Sequence, residues 1–458
     1  MKVFGSSGTR GVVGEEFTPE FVSRVAAAAA ATWDADGVAL GRDTRTSGPT
    51  FADAAAAGIT AAGVDVERLG VVPTPSLVRY CEAEAVPGVM ITASHNPPQF
   101  NGVKLVGDDG VELPVSRLEV IEERLLAEET TTVAWDRIGD SRRVADANDD
   151  YVAGMLAAVD REAIADAELT VALDPGHGAG ALTSPEFFRE LGCRVVTVNA
   201  QPDGRFPGRD PEPVRENLDD LGRLVRASGA DVGVAHDGDG DRAIFFDEAG
   251  EYVEGDASLA ALAARDLGEG DTTVAAVNVS QRLVDVCEDA GADLELTPIG
   301  STNIVTRIKE LWHEGESVPV AGEGNGGVFF PDYRLVRDGA FIAAKFLELL
   351  AERDAAVSEV VAPFAGYHNV RENLAYGSDA ELTAMRSAAA AYAEAADAEP
   401  DTKDGYRLDY GDAWVLVRPS GTEPKVRVYA EARDPERAAS LAREARDALA
   451  EARDGATA

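Results

Sequence analysis

A threefold repeat is the feature of the sequence that most limits how this chain can fold. Three segments each carry a short Val/Ala-rich strand pattern, a polar or Gly-rich loop, an Ala/Leu-rich helix pattern ending at a glycine, and a second strand pattern. The first strands are Val38–Leu40, Val171–Leu173 and Val274–Val277, the helices 51–62, 185–191 and 281–290, the glycines Gly63, Gly192 and Gly291, and the second strands Val64–Leu69, Val195–Val198 and Leu294–Leu296. We expect each glycine just past the end of its helix. The repeat predicts three α/β units.

Each unit then reaches a third apolar strand that opens into an unusual loop. These strands and loops are Gly88–Thr92 into Ala93–Asn101, Asp231–Ala235 into His236–Arg242, and Val318–Ala321 into Gly322–Gly327. Ligands of α/β sheets bind outside the carboxyl ends of the strands. The three loops are therefore expected to converge on one cleft.

The C-terminal part follows a different pattern. It predicts a strand at Ala413–Val417, a loop at Arg418–Pro424, a strand at Val426–Glu431 and a helix at Pro435–Ala452. The sequence thus predicts three similar α/β domains, at residues 1–145, 146–250 and 251–362, and a smaller α+β domain at residues 363–458.

The net charge of the chain limits which classes of molecule it can bind. The 458 residues include 82 Asp and Glu against 42 Lys and Arg, so the formal net charge is −40. This charge is spread along the chain and argues against nucleic acid as a partner. The negative charges on such a surface repel one another unless salt screens them, which indicates a halophilic source. Only six lysines occur, so arginine supplies nearly all positive charge.

The cysteines and the N-terminus indicate a cytoplasmic protein. Cys81, Cys193 and Cys287 are widely separated, which favours free buried thiols over disulfides or a zinc site. The N-terminus has no apolar signal region, and no stretch approaches the ~20 apolar residues of a membrane span. Secretion and membrane insertion are not expected.

Ser94 is a candidate nucleophile or phosphorylation site. It lies in the segment Thr92-Ala93-Ser94-His95-Asn96-Pro97-Pro98, and Lys104 follows shortly afterwards, so a hydroxyl, an imidazole and an amine come within a few residues. A polar turn that ends in proline is the alternative. The G-x-S-x-G pattern of many serine hydrolases is absent.

The run Asp237-Gly238-Asp239-Gly240-Asp241-Arg242 predicts a site for a hard cation, Mg²⁺ or Ca²⁺. Carboxylates alternate with glycines, so the backbone can curl and direct three oxygens at one ion. An acidic turn is the alternative. An EF-hand is excluded because Arg242 stands where its loop needs glycine, and the flanking residues have strand patterns.

Two further loops have the composition of ligand sites. In Gly322-Glu323-Gly324-Asn325-Gly326-Gly327, a carboxylate and an amide are suited to hydrogen-bonding sugar hydroxyls, although a structural turn is equally compatible. The segment Arg418-Pro419-Ser420-Gly421-Thr422-Glu423-Pro424-Lys425 gathers a guanidinium, two hydroxyls and backbone N–H groups, which favours a phosphate site over an ordinary strand connection.

These four loops, in this order and each after a strand, resemble the α-D-phosphohexomutase superfamily over essentially the full length. Two N-terminal segments are also similar to family segments, namely Phe4-Gly5-Ser6-Ser7-Gly8-Thr9-Arg10-Gly11 and Gly41-Arg42-Asp43-Thr44-Arg45. Asn325-Gly326-Gly327 stands where bacterial members have Ser-Gly-His and resembles an archaeal variant.

The resemblance implies four domains around a central cleft and a function for each loop. Ser94 would be the phosphoserine, and it would share one Mg²⁺ with Asp237, Asp239 and Asp241. Lys104 would be the general acid/base, with His95, Arg10 and Arg242 lining the site. Sugar hydroxyls would be held by Glu323 and Asn325, and the non-reacting phosphate by Arg418, Ser420, Gly421 and Thr422.

The implied activity is the interconversion of hexose or hexosamine 6-phosphate and 1-phosphate. It would proceed through a phosphorylated enzyme and a hexose 1,6-bisphosphate. Phosphoglucosamine and phosphomannose are favoured over phosphoglucose by the likeness to archaeal members. A metal-dependent sugar phosphatase and a non-catalytic Ca²⁺-binding module are the alternatives. The sequence does not predict an oligomeric state.

Overall fold

The computed structural model describes residues 3–5, 8–127, 129, 132–420 and 424–456. The chain forms two compact units. One comprises Met1–Arg265 and Asn325–Ala362, and the other comprises Asp266–Gly324 and Pro363–Ala458.

The first unit begins with a six-stranded sheet. Its elements in chain order are β1 (Thr9–Val12), α1 (Pro19–Ala30), β2 (Gly37–Arg42), α2 (Gly48–Ala61), β3 (Asp65–Val71), α3 (Thr74–Glu84), β4 (Gly88–Ile91), β5 (Phe100–Val106), α4 (Val115–Leu126) and β6 (Ser141–Arg143). The strand order is β1-β5-β4-β2-β3-β6. Strand β2 pairs in parallel with β3 and β4, whereas β5 runs antiparallel to β4. The carboxyl ends of β2 and β4 therefore lie side by side.

Helices cover both faces of this sheet. Val38 and Leu40 of β2 join the core formed with α1, α2 and α4, whereas Ala39 joins a second core with Leu77 and Cys81 of α3. This alternation is what the two-residue period of a strand requires. The central strands are buried on both sides, as their continuous apolar patterns predict.

A second mixed sheet follows in the same unit. Its elements are α5 (Ala147–Leu156), α6 (Arg161–Asp166), β7 (Thr170–Asp174), α7 (Ser184–Glu190), β8 (Arg194–Thr197), α8 (Asp219–Ser228), β9 (Val232–Ala235), β10 (Ile244–Phe246) and β11 (Tyr252–Val253), and α9 (Gly255–Asp266) comes next. The strand order is β11-β10-β9-β7-β8. Strands β9 and β10 flank the Asp237–Asp241 run, so the strands predicted on both sides of it are confirmed.

The second unit contains the third α/β segment. Its elements are β12 (Thr272–Ala276), α10 (Gln281–Ala290), β13 (Asp293–Thr297), α11 (Ser301–Glu314) and β14 (Ala321–Glu323). Strand β12 pairs in parallel with β13 and with β14. The strand predicted at Val318–Ala321 is wrong in position, because β14 starts only at Ala321. Pro319 has no N–H to donate to a ladder, and the strand forms beyond it.

The C-terminal part is the smaller α+β region that the sequence predicts. After β15 (Gly327–Phe329), α12 (Gly339–Arg353) and α13 (Val357–Val361) of the first unit, the chain forms β16 (His368–Ala375), α14 (Asp379–Ala395), β17 (Pro400–Asp401), β18 (Tyr406–Asp409), β19 (Ala413–Pro419), β20 (Lys425–Ala432) and α15 (Pro435–Ala456). The antiparallel order is β16-β20-β19-β18-β17. Helices α14 and α15 pack on one face through residues such as Met385 and Leu441.

Buried charged side chains tie this sheet to the α/β part of its unit. The Glu431 carboxylate, which is fully buried, accepts hydrogen bonds from the Ser280 hydroxyl at 2.9 Å and the Gln281 N–H at 2.7 Å, at the start of α10. Arg407 donates to the backbone oxygens of Val277 at 2.6 Å and Val279 at 3.2 Å. The Glu431 carboxylate is stabilised by its position at a helix N-terminus. Together with the hydrogen bonds of Arg407, it holds the sheet against the α/β part of the unit.

Other predictions are confirmed in the described residues. Gly63, Gly192 and Gly291 each follow a helix with a positive φ, at 90°, 89° and 70°. All three cysteines are free and buried. In the described part of the chain, no helix is both long enough and apolar enough to span a bilayer.

Candidate active site

The Ser94 loop follows β4 and has a constrained backbone. Ser94 is fully buried and has φ of +51°, which is uncommon for a residue other than glycine. Its N–H donates to the Thr92 hydroxyl at 2.8 Å, and that hydroxyl donates to the Asp43 carboxylate at 2.7 Å. Strained residues of this kind persist only where their surroundings fix them, and they cluster at functional sites.

The buried side chain of Arg45 holds the Ser94 loop in place. Its side chain is fully buried, and its Nε donates to Asp43 at 3.0 Å. The two terminal nitrogens donate to four backbone oxygens of the loop, those of Ser94 at 2.9 Å, Asn96 at 2.6 Å, Pro97 at 2.7 Å and Phe100 at 2.9 Å. One guanidinium thus satisfies carbonyl groups that an irregular loop cannot pair by itself.

The structure places the Asp237–Asp241 loop against Ser94. The Ser94 hydroxyl donates to Asp237 Oδ2 at 2.7 Å. Gly238 permits this approach, since a Cβ at that position would lie 2.6 Å from the backbone oxygen of Ser94. The two loops come from different sheets and are 143 residues apart in sequence. The expectation that they meet at the carboxyl ends of their strands therefore agrees with the geometry.

Three buried carboxylates form a cluster in this loop. Asp237, Asp239 and Asp241 each offer an oxygen within 4.8 Å of the others. Lys104 Nζ of β5 donates to Asp239 at 2.8 Å and to Asp241 at 3.0 Å, and Arg337 donates to Asp241 at 2.7 Å. Two further oxygens, Asp239 Oδ1 and Asp241 Oδ1, are buried and accept no hydrogen bond in the described part of the chain.

Charges in the cluster are unevenly compensated. Burial and the neighbouring Asp241 and Asp239 raise the pKa of Asp237 well above its usual value. Burial also raises the pKa of Asp241, but Arg337, Lys104 and Arg242 outweigh it, and the resulting pKa is low. Burial lowers the pKa of Lys104, yet Asp239 and Asp241 raise it above its ordinary value. The positive charges therefore stabilise Asp241 more than Asp237, and the charged form of Asp237, beside the serine hydroxyl, is the less compensated one.

The oxygen atoms of this cluster are suitable ligands for a hard divalent cation. The candidate ligands are oxygens of Asp237, Asp239, Asp241 and Ser94, the type that Mg²⁺ prefers. Buried carboxylate oxygens without a hydrogen bond are costly unless a cation binds them. The orphaned oxygens thus favour the predicted metal site.

Basic side chains surround the residues that follow Ser94, namely His95 and Asn96. Arg242 donates to Nδ1 of His95 at 3.0 Å, and Arg10 donates to the Asn96 side chain at 3.0 Å. Burial, followed by the charges of Arg242 and Arg10, holds the pKa of His95 well below its ordinary value. A neutral His95 can accept hydrogen bonds, while the two guanidinium groups supply positive charge.

The predicted sugar-binding residues lie in different units. Asn325 belongs to the first unit, where its side chain accepts from the Gly327 N–H at 3.0 Å and the backbone oxygen of Gly326 accepts from the Ala243 N–H at 3.0 Å. The residue after Asn325 is therefore hydrogen-bonded to Ala243, the residue after Arg242. Glu323 belongs to the second unit, where it is 7% exposed at the end of β14.

The predicted phosphate residues lie in the C-terminal sheet of the second unit. Arg418 is in β19 and forms an ion pair with Asp404 at 3.0 Å, while the Ser420 N–H donates to the backbone oxygen of Lys425 at 2.8 Å. Arg427 of β20 is directly opposite Arg418. Like charges in that position are unfavourable unless an anion lies near them. Gly421 and Thr422 lie outside the described residues.

Sequence reasoning missed four contributors. Arg45 was noticed only within a family-like segment. Arg337 and Thr74, which donates to Asp239 at 2.6 Å, lie far along the chain from the aspartates that they contact. The position of Arg427 could have been predicted, because it follows the phosphate loop by two residues and the two-residue period of a strand sets the face on which it lies.

Comparisons with known proteins agree with this arrangement. Four segments match the domains of the phosphoglucomutase/phosphomannomutase family: residues 1–132 match alpha/beta/alpha domain I, 149–250 domain II, 254–367 domain III and 373–448 the C-terminal domain. A crystal structure of a phosphoglucomutase/phosphomannomutase family protein from Burkholderia thailandensis superposes with a TM-score of 0.83 and 27% identity, covering 99% of this chain and 98% of that one.

Two archaeal relatives are more similar in sequence. A phosphoglucomutase/phosphomannomutase of Thermococcus kodakarensis is 39% identical over 447 residues, which are 95% of this chain and 96% of that protein. A protein named probable phosphoglucosamine mutase from Methanothermobacter thermautotrophicus is 40% identical over 443 residues, 95% of each chain. The chain has the four-domain α/β architecture of phosphohexomutases, and it belongs to the phosphoglucomutase/phosphomannomutase family. The boundaries near residues 145, 250 and 362 stay a prediction.

Replacing Arg45 tests what holds the Ser94 loop. We expect Arg45→Ala to lower the free energy of unfolding by about 3 kcal/mol or more, because it leaves buried Asp43 and four carbonyl groups without their partner. Hydrogen exchange of residues 94–100 should accelerate. Arg117→Ala, at an exposed position of α4, is the control and should change stability by no more than about 0.5 kcal/mol. Unchanged exchange in Arg45→Ala would contradict this assignment.

Proposed function

We propose that this chain is a phosphohexomutase that interconverts 6-phosphates and 1-phosphates of a hexose or hexosamine through phosphorylated Ser94. The observation that carries the proposal is the contact of the Ser94 hydroxyl with Asp237 at 2.7 Å, inside a cluster of three buried carboxylates. Membership of the family and 39% identity to a phosphoglucomutase/phosphomannomutase support it. Phosphoryl transfer depends mainly on positioning and charge neutralisation, and the site has candidates for both.

The first transfer moves the phosphoryl group from Ser94 to the free hydroxyl of the sugar phosphate. The bond between phosphorus and Ser94 Oγ breaks as the bond to the sugar oxygen forms, and the product is a hexose 1,6-bisphosphate. Arg10 and Arg242 are placed to stabilise the negative charge of the moving group. The bisphosphate then turns in the site, and its other phosphoryl group returns to Ser94.

Lys104 is the candidate for the proton transfers. Its ammonium lies on Asp239 and Asp241, which favour its charged form. As an acid, Nζ can give a proton to the departing serine oxygen, and the resulting amine can take the proton of the attacking hydroxyl. His95 accepts a hydrogen bond from Arg242 and orients it.

The metal of the proposal is Mg²⁺, held by Asp237, Asp239, Asp241 and Ser94. When bound, Mg²⁺ would neutralise charge on the phosphoryl oxygens. In the second unit we assign Arg418, Ser420, Gly421 and Thr422 to the non-reacting phosphate, with Arg427 beside Arg418 as support. Glu323 and Asn325 are assigned to sugar hydroxyls.

The sugar is a hexosamine or mannose in this proposal. Relatives at 39% to 40% identity carry the names phosphoglucomutase/phosphomannomutase and probable phosphoglucosamine mutase. Glucosamine, mannose and glucose differ by one amine or by one hydroxyl configuration, so kcat/KM for the three 1-phosphates decides between them. A cytoplasmic location remains part of the proposal.

Replacing the serine tests the covalent step. We expect Ser94→Ala to lose mutase turnover, since no other group replaces the phosphoryl carrier. After incubation with hexose 1,6-bisphosphate, intact-mass spectrometry should detect an added phosphoryl group on the parent protein and on the control Ser387→Ala, which changes an exposed residue of α14. Full turnover by Ser94→Ala would refute the assignment. Release of inorganic phosphate without isomerised sugar would point instead to a phosphatase.

Removing the metal tests the carboxylate cluster. Chelation by EDTA should abolish turnover, and added Mg²⁺ should restore it and raise the thermal midpoint. At a hundredfold excess over the dissociation constant, the gain in stability is about 2.7 kcal/mol. Asp239→Asn should lose this Mg²⁺-dependent gain, whereas Asp289→Asn, at an exposed position of α10, should keep it. An equal gain in both variants would place the metal elsewhere.

We also infer adaptation to high salt from the net charge of −40. Raising KCl from about 0.1 M to about 1 M shortens the Debye length from about 10 Å to about 3 Å and screens the self-repulsion. The thermal midpoint should therefore rise across this range. The control is sucrose at equal osmolality, which leaves the charges unscreened and should raise the midpoint less. A midpoint that is flat or falls with KCl would contradict the inference.

A further inference from the structure

A cavity lies in the first unit, on the same sheet as the Ser94 loop but outside the candidate active site. Its volume is about 570 Å³, which falls in the range of small-molecule sites. It is lined where β2 and β3 reach their carboxyl ends, by the start of α2, and by the residues around the end of β6. This is where ligands of α/β sheets bind.

Arginines dominate the charge of this cavity. Arg42, Arg68 and Arg143 line it together with one carboxylate, that of Asp53, and the other lining residues are uncharged. Three guanidinium groups against one carboxylate leave a local excess of positive charge. Although the chain has a net charge of −40, Asp53 supplies the one carboxylate among the described residues that line this cavity.

Two of the arginines, Arg42 and Arg143, form no ion pair with any carboxylate that the structure describes. The hydrogen bond of the half-buried Arg42 side chain goes to the backbone oxygen of Asp43 at 3.1 Å. Arg143 is exposed, and within the described residues neither guanidinium has a carboxylate oxygen within 4.0 Å. Burial lowers the pKa of Arg42, and the nearby charges of Asp43 and Asp53 only partly offset this effect. An anion bound here would offset that cost.

Arg68 has donors left for a ligand. Its Nη1 donates to Asp53 at 2.6 Å and its Nε to the Ser141 hydroxyl at 2.9 Å. These contacts orient the guanidinium along the cavity wall. The first turn of α2 adds a positive helix end and contains no acidic residue.

We infer that this cavity binds a small organic phosphate. A phosphate monoester carries nearly two negative charges, which the excess of two arginines matches, and guanidinium groups bind phosphate in a bidentate manner. Leu69, Pro49 and Val144 supply an apolar wall for the organic part. The site is separate from the mutase chemistry, although Arg42 directly precedes Asp43, the partner of Arg45.

Hydrogen exchange with phenyl phosphate as the probe gives a readout located in the sequence. We expect slower exchange in residues 40–53, 66–71 and 141–145 of the parent protein at fixed KCl. Arg143→Glu should weaken this binding at least about tenfold, because a repulsive charge replaces a charge-assisted contact. Its thermal midpoint should stay unchanged, since Arg143 is exposed and pairs with no carboxylate in the described ranges. Arg117→Glu, which makes the same charge change on α4, should bind like the parent.

The outcomes separate the alternatives. Protection confined to the Ser94 loop, or equal protection in Arg143→Glu and the parent, would overturn the site. Inorganic phosphate should protect the same segments more weakly than phenyl phosphate. Equal affinity for both would overturn the organic part of the inference and leave a site for the bare anion. None of these readouts depends on mutase turnover, so failure here and failure of the proposed function are distinguishable.

Discussion

Three carboxylates buried within 4.8 Å of one another set the main constraint on the first unit. At an effective dielectric constant of about 20, each such pair repels by about 3 kcal/mol, so the Asp237–Asp241 loop cannot be buried alone. Its compensation comes from far along the chain, with Lys104 on β5 and Arg337 just before α12. The elements that carry these cations must therefore assemble around the loop. The folding of this unit and the formation of its site depend on the same contacts.

Buried arginines solve a second problem, which is how to hold irregular loops at strand ends. Arg45 is anchored by Asp43 after β2 and donates to the carbonyl groups of the Ser94 loop. In the second sheet Arg209 is anchored at 3.0 Å by Asp174, the last residue of β7, and donates at 2.6 Å to the backbone oxygen of His236, next to Asp237. In both sheets the Asp comes from the strand beside the one that leads into the site loop. A planar, permanently charged side chain with five donors suits this task, and lysine does not.

The sequence predicted the elements well because their patterns are local. Alternating apolar residues and helix-ending glycines such as Gly291 fix strands and helices within a few residues. The meeting of Ser94 with Asp237 also followed, because each loop comes after a strand of its own α/β sheet, and ligands bind outside the carboxyl ends of such strands. The contact of Arg337 with Asp241 did not, because Arg337 is 96 residues away and nothing local marks it. The wrong strand position at Val318–Ala321 has the opposite origin, because the apolar pattern there is local but Pro319 within it cannot donate to a strand ladder.

Local cationic groups on so acidic a chain have a physical consequence for recognition. A net charge of −40 repels anionic ligands at long range, and screening by salt removes this repulsion before it removes contact interactions. The fold sets the positions of two pairs of arginines, and the net charge of the chain does not. These pairs are Arg10 and Arg242 in the first unit and the facing Arg418 and Arg427 in the second. Affinity for the proposed phosphate ligand would therefore depend on short, directed hydrogen bonds. Such contacts need fixed donors, which is why the arginines around Ser94 are held by other side chains, as Arg242 is by His95.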